Sequence, residues 1–90
     1  MSYEIIWSEK AKKNLKILDK TVSTRIVSKV ESIKNDPFLF VKHLQEVALY
    51  SLRVGEYRVV LDIENKKIVI FVVKTGHSGK VYAEKSIKIN

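Results

Sequence analysis

The sequence predicts one α+β domain over residues 1–90, with an N-terminal strand, a helical hairpin and then an antiparallel meander that forms a four-stranded sheet. Two patterns predict this order. Apolar residues recur at helical spacing up to about residue 34, whereas Val, Ile, Tyr and Phe dominate from about residue 49 onward. An apolar fraction of 46% in 90 residues is enough for one small core and argues against disorder.

The N-terminal segment predicts a strand followed directly by a capped helix. Residues 3–7 (YEIIW) are apolar and favour a strand. Ser8 can then serve as the N-cap, because its hydroxyl can accept a hydrogen bond from a backbone N–H of the first turn. The apolar stripe of the helix is Ala11, Leu15 and Leu18, and lysines cover the other face.

A second helix follows a break at residues 19–21. Its apolar stripe consists of Val22, Ile26, Val30 and Ile33, with Val27 beside it. Residues 34–37 (KNDP) end the helix, because Asn and Asp favour turns and Pro37 keeps the preceding residue out of helical conformation. Two helices of about 11–14 residues joined by a short turn make an αα-hairpin.

The second half of the chain predicts a connecting loop and three strands. Residues 38–48 are expected to form the loop, with Phe38, Phe40 and Leu44 filling the core. The strands are residues 49–54, 57–64 and 67–75, joined by two-residue hairpin loops at residues 55–56 and 65–66. Glycine first in a loop favours a type II′ turn. Residues 68–73 are apolar on both faces, which predicts a central strand, and the N-terminal strand joins as the fourth.

The two-residue loop at Gly55 and Glu56 fixes which residues face each other in the first hairpin. One face is wholly apolar or aromatic and must be the core face: Tyr50, Leu52, Val54, Tyr57, Val59, Leu61 and Ile63. The other face places Arg53 directly across from Arg58, and such like-charged pairs destabilise a sheet. Either an acidic neighbour neutralises the pair, or both side chains extend into water, or the pair binds an anion such as phosphate, which Arg recognises bidentately.

The chain is strongly basic, with 14 Lys and three Arg against 10 acidic residues and a net charge of +7. Such a surplus predicts a polyanionic partner, most simply a nucleic acid. Lysine bias from genome composition or thermal adaptation is the alternative explanation. The three arginines, Arg25, Arg53 and Arg58, are therefore the more informative charges.

Three residues after the last strand are expected at the same end of the sheet as the arginines. His77 can act as acid or base near neutral pH, Lys80 can stabilise a developing negative charge, and Tyr82 can stack on an exposed base. The alternatives are that His77 is a solvated loop residue and that Tyr82 anchors the core.

Several classes of site are not predicted. The absence of Cys excludes disulfides and thiolate chemistry and fits a reducing compartment. His43 and His77 lack metal-ligand spacing, the glycines form no phosphate loop before a helix, and no serine lies in a nucleophile elbow. We therefore expect no metal and no cofactor. The N-terminus lacks a basic region and no apolar run approaches about 18 residues, so neither a signal peptide nor a membrane span is expected.

Together these features resemble the RelE/ParE superfamily of toxins over nearly the whole chain. The specific segments are LRVGEYRVV at residues 52–60, IVIFVVKTGH at residues 68–77 and VY at residues 81–82. The resemblance implies a concave basic sheet face and a cytoplasmic toxin of a type II toxin–antitoxin system. RelE-like members are mRNA interferases: they cut mRNA in the ribosomal A site without metal, through attack of the 2′-hydroxyl on the phosphate. The implied partners are the ribosome, mRNA and an acidic, RelB-like antitoxin.

The resemblance also implies roles for individual residues. Arg58 falls on the sheet arginine that clamps the scissile phosphate, and Arg53 lies on a strand that supplies further basic residues. Tyr82 falls on the tyrosine that orients or stacks the target base, and His77 falls where many members carry His or Lys. With Lys80, which the sequence places at the same end of the sheet, the predicted catalytic set is Arg53, Arg58, His77, Lys80 and Tyr82, and the nearby Lys74 is a further predicted RNA-binding residue.

Two departures from the family pattern keep other functions open. Ser78 stands where nuclease members often have Arg, and the lysines that some RelE proteins carry over residues 49–51 are missing. Lys74 and Lys80 are the candidates to substitute for them. The alternatives are a ParE-like inhibitor of DNA gyrase and a non-catalytic protein that only binds its antitoxin. The conformation of residues 83–90 is not predicted.

Overall fold

The computed structural model describes residues 2–81 and consists of a five-stranded sheet with two long helices packed on one face. The strands are β1 (Glu4–Trp7), β2 (Val41–His43), β3 (Tyr50–Val54), β4 (Tyr57–Glu64) and β5 (Val69–His77). The helices are α1 (Glu9–Ile17), α2 (Lys20–Ser32) and the short α3 (Ser78–Val81). The strand order β1-β5-β4-β3-β2 confirms the predicted α+β class.

The helical hairpin forms as predicted, and Ser8 attaches it to the sheet. The Ser8 hydroxyl accepts a hydrogen bond from the Ala11 N–H at 3.0 Å and donates one to the Val73 carbonyl at 2.6 Å. One side chain therefore both caps α1 and fixes it against β5. In α2, Ile26 and Val30 are fully buried.

The sheet is mixed and has one strand more than predicted. β1 runs parallel to β5, while all other neighbours are antiparallel. This arrangement places β5 inside the sheet, which confirms the expectation of a central strand. The fifth strand is β2, which pairs with β3 through partners such as Val41 and Leu52 and lies within the segment expected to be a loop.

The prediction that Phe38 and Phe40 fill the core is wrong. After α2 the chain makes a 3₁₀ turn (Pro37–Leu39) at the margin of the sheet, which leaves the two side chains 43% and 49% exposed. The Phe38 ring packs edge-on against Tyr50 at 5.4 Å, and the Lys29 ammonium lies 5.4 Å from the Phe40 ring. Pro37, not the aromatic residues, is buried in this turn.

The two turns of the meander differ in how well the sequence predicts them. In the first turn Gly55 has a φ of 61°, whereas the φ of Glu56 is not positive, and a type II′ turn requires this combination. The predicted pairing of Arg53 with Arg58 is confirmed. The second turn has four residues, 65–68, instead of two. Ile68 takes a φ of 56° there, and its carbonyl accepts a hydrogen bond from the Glu4 N–H at 2.9 Å. β5 therefore begins two residues later than predicted and continues to His77.

The sheet has one face covered by α1 and α2, here called the helix face, and an opposite outer face. The helix face carries the main core, whose buried members are Ala11, Ile26, Val30, Ile33, Leu52, Val54, Val59, Leu61, Ile63, Ile70 and Val72. On the outer face, residues 44–49 fold back so that Leu44 packs on Val60, next to Val73. Leu44 is therefore buried as predicted, but on the other side of the sheet. Within residues 2–81 none of the helices has the length and apolar character needed to cross a membrane.

Candidate nucleic-acid interface

A β-bulge at Val73 determines which side chains of β5 reach the outer face. Leu61 pairs with Val72 and the next residue, Val60, pairs with Lys74, so that Val73 is the extra residue. Paired residues point to the same face of an antiparallel sheet. Past the bulge, Lys74 therefore shares the outer face with Val60, and Thr75 shares the helix face with its partner Val59.

Arg58 occupies the middle of the outer face. It pairs with Arg53 on one side and with Gly76, which has no side chain, on the other. The Arg58 side chain is half-buried, and its Nε is buried without a hydrogen-bond partner among the residues that the structure describes. A buried donor without a partner costs about 1–3 kcal/mol, so a bound anion that accepted this hydrogen bond would be favoured.

Lys74 places a second basic side chain beside Arg58. It is only 2% exposed, although lysine is rarely buried in proteins. Lys74 and Arg58 are diagonal neighbours on the outer face, since their partners are Val60 and Gly76. Diagonal neighbours lie about 7–8 Å apart at the backbone, within reach of two long side chains. The outer face therefore holds two basic groups at a site partly shielded from water.

The helix layer holds the backbone of Arg58 in place. The Thr75 hydroxyl donates to the Arg58 carbonyl at 2.9 Å, and the Thr75 N–H donates to the Asn14 side chain of α1 at 3.1 Å. β1 pairs with β5 only as far as Val72, so Asn14 supplies the acceptor that a neighbouring strand would otherwise provide. A contact from α1 thus reaches the backbone of Arg58 through Thr75, in addition to the strand pairing.

The side chain of Arg53 turns away from Arg58. Its Nε donates to the Gly55 carbonyl at 3.2 Å, and the side chain lines a groove between α2 and the β3–β4 turn, together with Arg25. This conformation separates the two guanidinium groups that the pairing brings opposite each other. It also assigns Arg53 to the edge of the sheet.

His77 lies at the same end of the sheet as Arg58 but on the other face. Its partner is Tyr57, whose ring packs on the main core, and the two rings meet edge-on at 5.6 Å. The His77 Nε2 is 3.6 Å from the Glu56 carboxylate, and its Nδ1 accepts a hydrogen bond from the Gly79 N–H. The structure therefore places His77 at the rim, beside the β3–β4 turn.

The two remaining predicted site residues, Lys80 and Tyr82, follow β5, and Ser78 leads into this segment. Ser78 begins α3, and its N–H donates to the Glu56 carbonyl at 2.9 Å, which ties α3 to the β3–β4 turn. The backbone of Lys80 lies in α3. The Lys80 side chain and the whole of Tyr82 lie outside the described residues.

Sequence reasoning did not assign a role to the basic residues of α2. Arg25 and Lys29 line the same groove as Arg53. Their four-residue spacing places both on one stripe of the helix, adjacent to the apolar stripe. That spacing is a signal that could have identified them, but lysines on the exposed faces of helices are so common that it carries little weight alone.

Comparison with known proteins gives one family and a consistent set of folds. A family model described as the ParE toxin of the type II toxin–antitoxin system parDE matches residues 5–82. Comparison with curated proteins gives no match. Among solved structures, the RelBE2 toxin–antitoxin complex of Mycobacterium tuberculosis matches at a TM-score of 0.81 and 19% identity, over 86% of this chain and 99% of that chain.

Two further structures are similar at somewhat higher identity. The archaeal RelE–RelB complex of Pyrococcus horikoshii matches at a TM-score of 0.75 and 26% identity, over 89% of this chain and 99% of that chain. The intact E. coli RelBE toxin–antitoxin complex matches at 0.71 and 26%, over 86% and 98% of the respective chains. The five-stranded sheet and its helical hairpin therefore correspond to a fold found in toxin–antitoxin complexes.

Proposed function

Since the chain belongs to the ParE toxin family of the RelE/ParE superfamily and is a RelE-like toxin of a type II toxin–antitoxin system, we propose that it inhibits translation as a metal-independent, ribosome-dependent endonuclease that cuts mRNA. The observation that carries this proposal is Arg58. Its Nε on the outer face is buried and has no hydrogen-bond partner within residues 2–81, and Lys74 lies diagonal to it. Bidentate recognition of a phosphate uses the guanidinium group in this way.

The proposed reaction transfers a phosphoryl group within the RNA strand. The 2′-oxygen attacks the adjacent phosphorus and the bond to the 5′-oxygen breaks, which leaves a cyclic phosphate and a 5′-hydroxyl. Negative charge accumulates on the phosphoryl oxygens at the transition state, and fixed cationic donors stabilise that charge most. In the proposal Arg58 and Lys74 supply these donors, and Arg53 contacts a neighbouring phosphate from the edge of the sheet.

Proton transfer needs a base for the 2′-hydroxyl and an acid for the leaving 5′-oxygen. We assign His77 as the candidate for one of these roles on the family resemblance alone, because its backbone register directs the side chain to the helix face and it would have to reach the phosphate around the rim of the sheet. Lys80 is proposed as a further cation and Tyr82 as the residue that stacks on the target base. The proposal for Lys80 rests on its position in the sequence, and the proposal for Tyr82 rests on the family resemblance.

The proposed partners follow from the charge of the chain and from its relatives. The similar toxins from Pyrococcus horikoshii and E. coli are described in complexes with RelB antitoxins. A net charge of +7 favours both ribosomal RNA and an acidic antitoxin of this kind. We propose that the antitoxin neutralises the toxin in the cytoplasm by covering the basic outer face.

The proposal is tested by adding purified protein to translating ribosomes and mapping mRNA ends by primer extension. Wild-type protein should produce cuts in the A site, and Arg58→Ala should lower the cleavage rate on the order of 10²-fold or more. The matched control is Lys66→Ala, in an exposed turn at the opposite end of β4, which should cut like wild type. Thermal unfolding should show that both variants fold.

Three results would contradict the proposal. The first is intact mRNA at saturating wild-type protein, and the second is an Arg58→Ala variant that cuts at the wild-type rate. The third is intact mRNA together with inhibition of DNA gyrase supercoiling, which would assign the chain to the ParE type of activity instead.

A further inference from the structure

A groove on the helix side of the molecule brings two arginines together at one glycine. The groove has a volume of about 530 Å³ and lies between α2 and the β3–β4 turn. The Arg53 Nε is 3.2 Å from the Gly55 carbonyl, and a methyl group added to Gly55 would lie 3.1 Å from the Arg25 Nη2. No acidic side chain lines the groove among the described residues, which are Thr24, Arg25, Ser28, Lys29, Ser32, Arg53, Val54 and Gly55.

The sequence of α2 creates this surface through a four-residue repeat. Arg25 and Lys29 lie one turn apart, and Thr24, Ser28 and Ser32 follow the same spacing beside them. Four residues of helix span about 6 Å, similar to the distance between successive phosphates along a nucleic-acid strand. The Ser32 hydroxyl donates to the Lys29 carbonyl, so Thr24 and Ser28 are the hydroxyl groups available as donors.

We propose that this groove binds the phosphodiester backbone of an RNA strand, as a second contact surface that Arg53, at the edge of the sheet, connects to the Arg58 site. Arg, Lys, Ser and Thr side chains are the groups that contact phosphates in protein–nucleic acid complexes. The groove therefore adds to the proposed function and does not require it, because backbone binding needs no cleavage.

The lining favours RNA over an acidic protein as the occupant. Protein interfaces derive most of their affinity from a few large apolar or aromatic anchors in desolvated pockets. Val54 is the only apolar side chain among the described residues that line the groove. Electrostatic contacts to a flexible polyanion, in contrast, need only cations at regular spacing on an open surface.

The proposal predicts a specific change in the salt dependence of RNA binding. The probe is a fluorescent single-stranded 2′-O-methyl RNA oligonucleotide, which lacks the attacking hydroxyl and cannot be cut, and binding is followed by anisotropy. The slope of log K against log salt is negative, and each lost phosphate contact reduces its magnitude by about 0.7 for a single strand. The double variant Arg25→Gln/Lys29→Gln should therefore show a slope whose magnitude is smaller by about 1.4, and it should bind the RNA several-fold more weakly.

A control variant and a second background separate this groove from the Arg58 site. Lys66→Gln, which removes one positive charge outside the groove, should bind the RNA more tightly than the double variant does. Its salt slope should also change less than that of the double variant. The loss caused by Arg25→Gln/Lys29→Gln should persist in an Arg58→Gln background, because the two surfaces contribute separately. Circular dichroism and thermal unfolding confirm that each variant folds.

Two outcomes would overturn the proposal. One is a double variant whose affinity and salt slope equal those of Lys66→Gln. The other is a poly-glutamate peptide that binds as tightly as the RNA and loses the same affinity in the double variant, which would assign the groove to an acidic protein. Primer extension on ribosomes remains an independent readout, so loss of the groove proposal and loss of the cleavage proposal give different results.

Discussion

The two faces of the sheet have different compositions: one holds most of the apolar core, and the other holds the basic residues of the proposed cleavage site. Among residues 2–81, the helix side buries eleven apolar residues in one cluster, whereas the outer face buries the apolar pair Leu44 and Val60. The outer face also buries polar side chains, Lys74 and Ser51. Burial of a side chain as large as valine stabilises a protein by about 1.5–3 kcal/mol. Most of the stability of the domain must therefore come from the helix face, which leaves the outer face able to hold cationic groups.

The largest expected difference comes from two adjacent valines. Val59 and Val60 are both 0% exposed but lie on opposite faces of β4, the first in the main core and the second under residues 44–49. Val59→Ala should lower the free energy of unfolding by about 2–4 kcal/mol and Val60→Ala by about half of that, because a loop can collapse into a cavity more readily than packed helices can. Urea denaturation measures both values. Equal losses would show that the outer cluster is as tightly packed as the main core.

A smaller effect is expected at Thr75, which connects the two faces. Thr75→Val keeps the shape of the side chain but removes the hydrogen bond to the Arg58 carbonyl, which should lower the free energy of unfolding by about 1 kcal/mol. If Thr75 positions Arg58, kcat for mRNA cleavage should also fall, while the affinity for the ribosome is unchanged. Ile63→Val, on the helix face at the other end of β4 and expected to cost a similar amount of about 0.5–1.5 kcal/mol, is the matched control for kcat. Equal kcat values in the two variants would limit Thr75 to a structural role.

The smallest effect is expected at the rim, where the two faces meet at Glu56 and His77. Their side chains are 86% and 49% exposed and 3.6 Å apart, so solvent screens the interaction strongly. Glu56→Gln should change the free energy of unfolding by less than about 0.5 kcal/mol at neutral pH. A loss above 1 kcal/mol in urea denaturation would mean that the rim contributes to stability like the helix face.

The sequence predicts the elements whose signals are local. The β3–β4 register follows from a glycine at the first turn position and an unbroken apolar alternation on both sides, and Ser8 caps α1 because its preference acts within one turn. The strand β2 is missed because three residues, Val41–His43, are too few to show alternation. It becomes a strand because its backbone pairs with the N–H and C=O groups on the edge of β3 that does not face β4.

The site is predicted less completely than the fold because its geometry depends on long-range contacts. The identity of Arg58 as a paired sheet residue follows from the register, but its buried Nε and the hydrogen bond from Thr75 depend on packing between layers. The side chain of Arg53 follows a local hydrogen bond to Gly55, which no alternation rule contains. The groove of α2 requires the helix and the β3–β4 turn to meet, and they are about 30 residues apart in the chain.

The bulge at Val73 has a consequence for comparing this chain with its relatives. It acts on the sheet as a one-residue insertion acts on a reading frame: without it, strict alternation from Val72 would direct Lys74 toward the helices and His77 toward the outer face that carries Arg58. An aligned lysine or histidine at the end of β5 is therefore equivalent in two toxins only if both keep the extra residue. The bulge, together with the side chains themselves, therefore determines which chemical groups the end of β5 presents on the outer face.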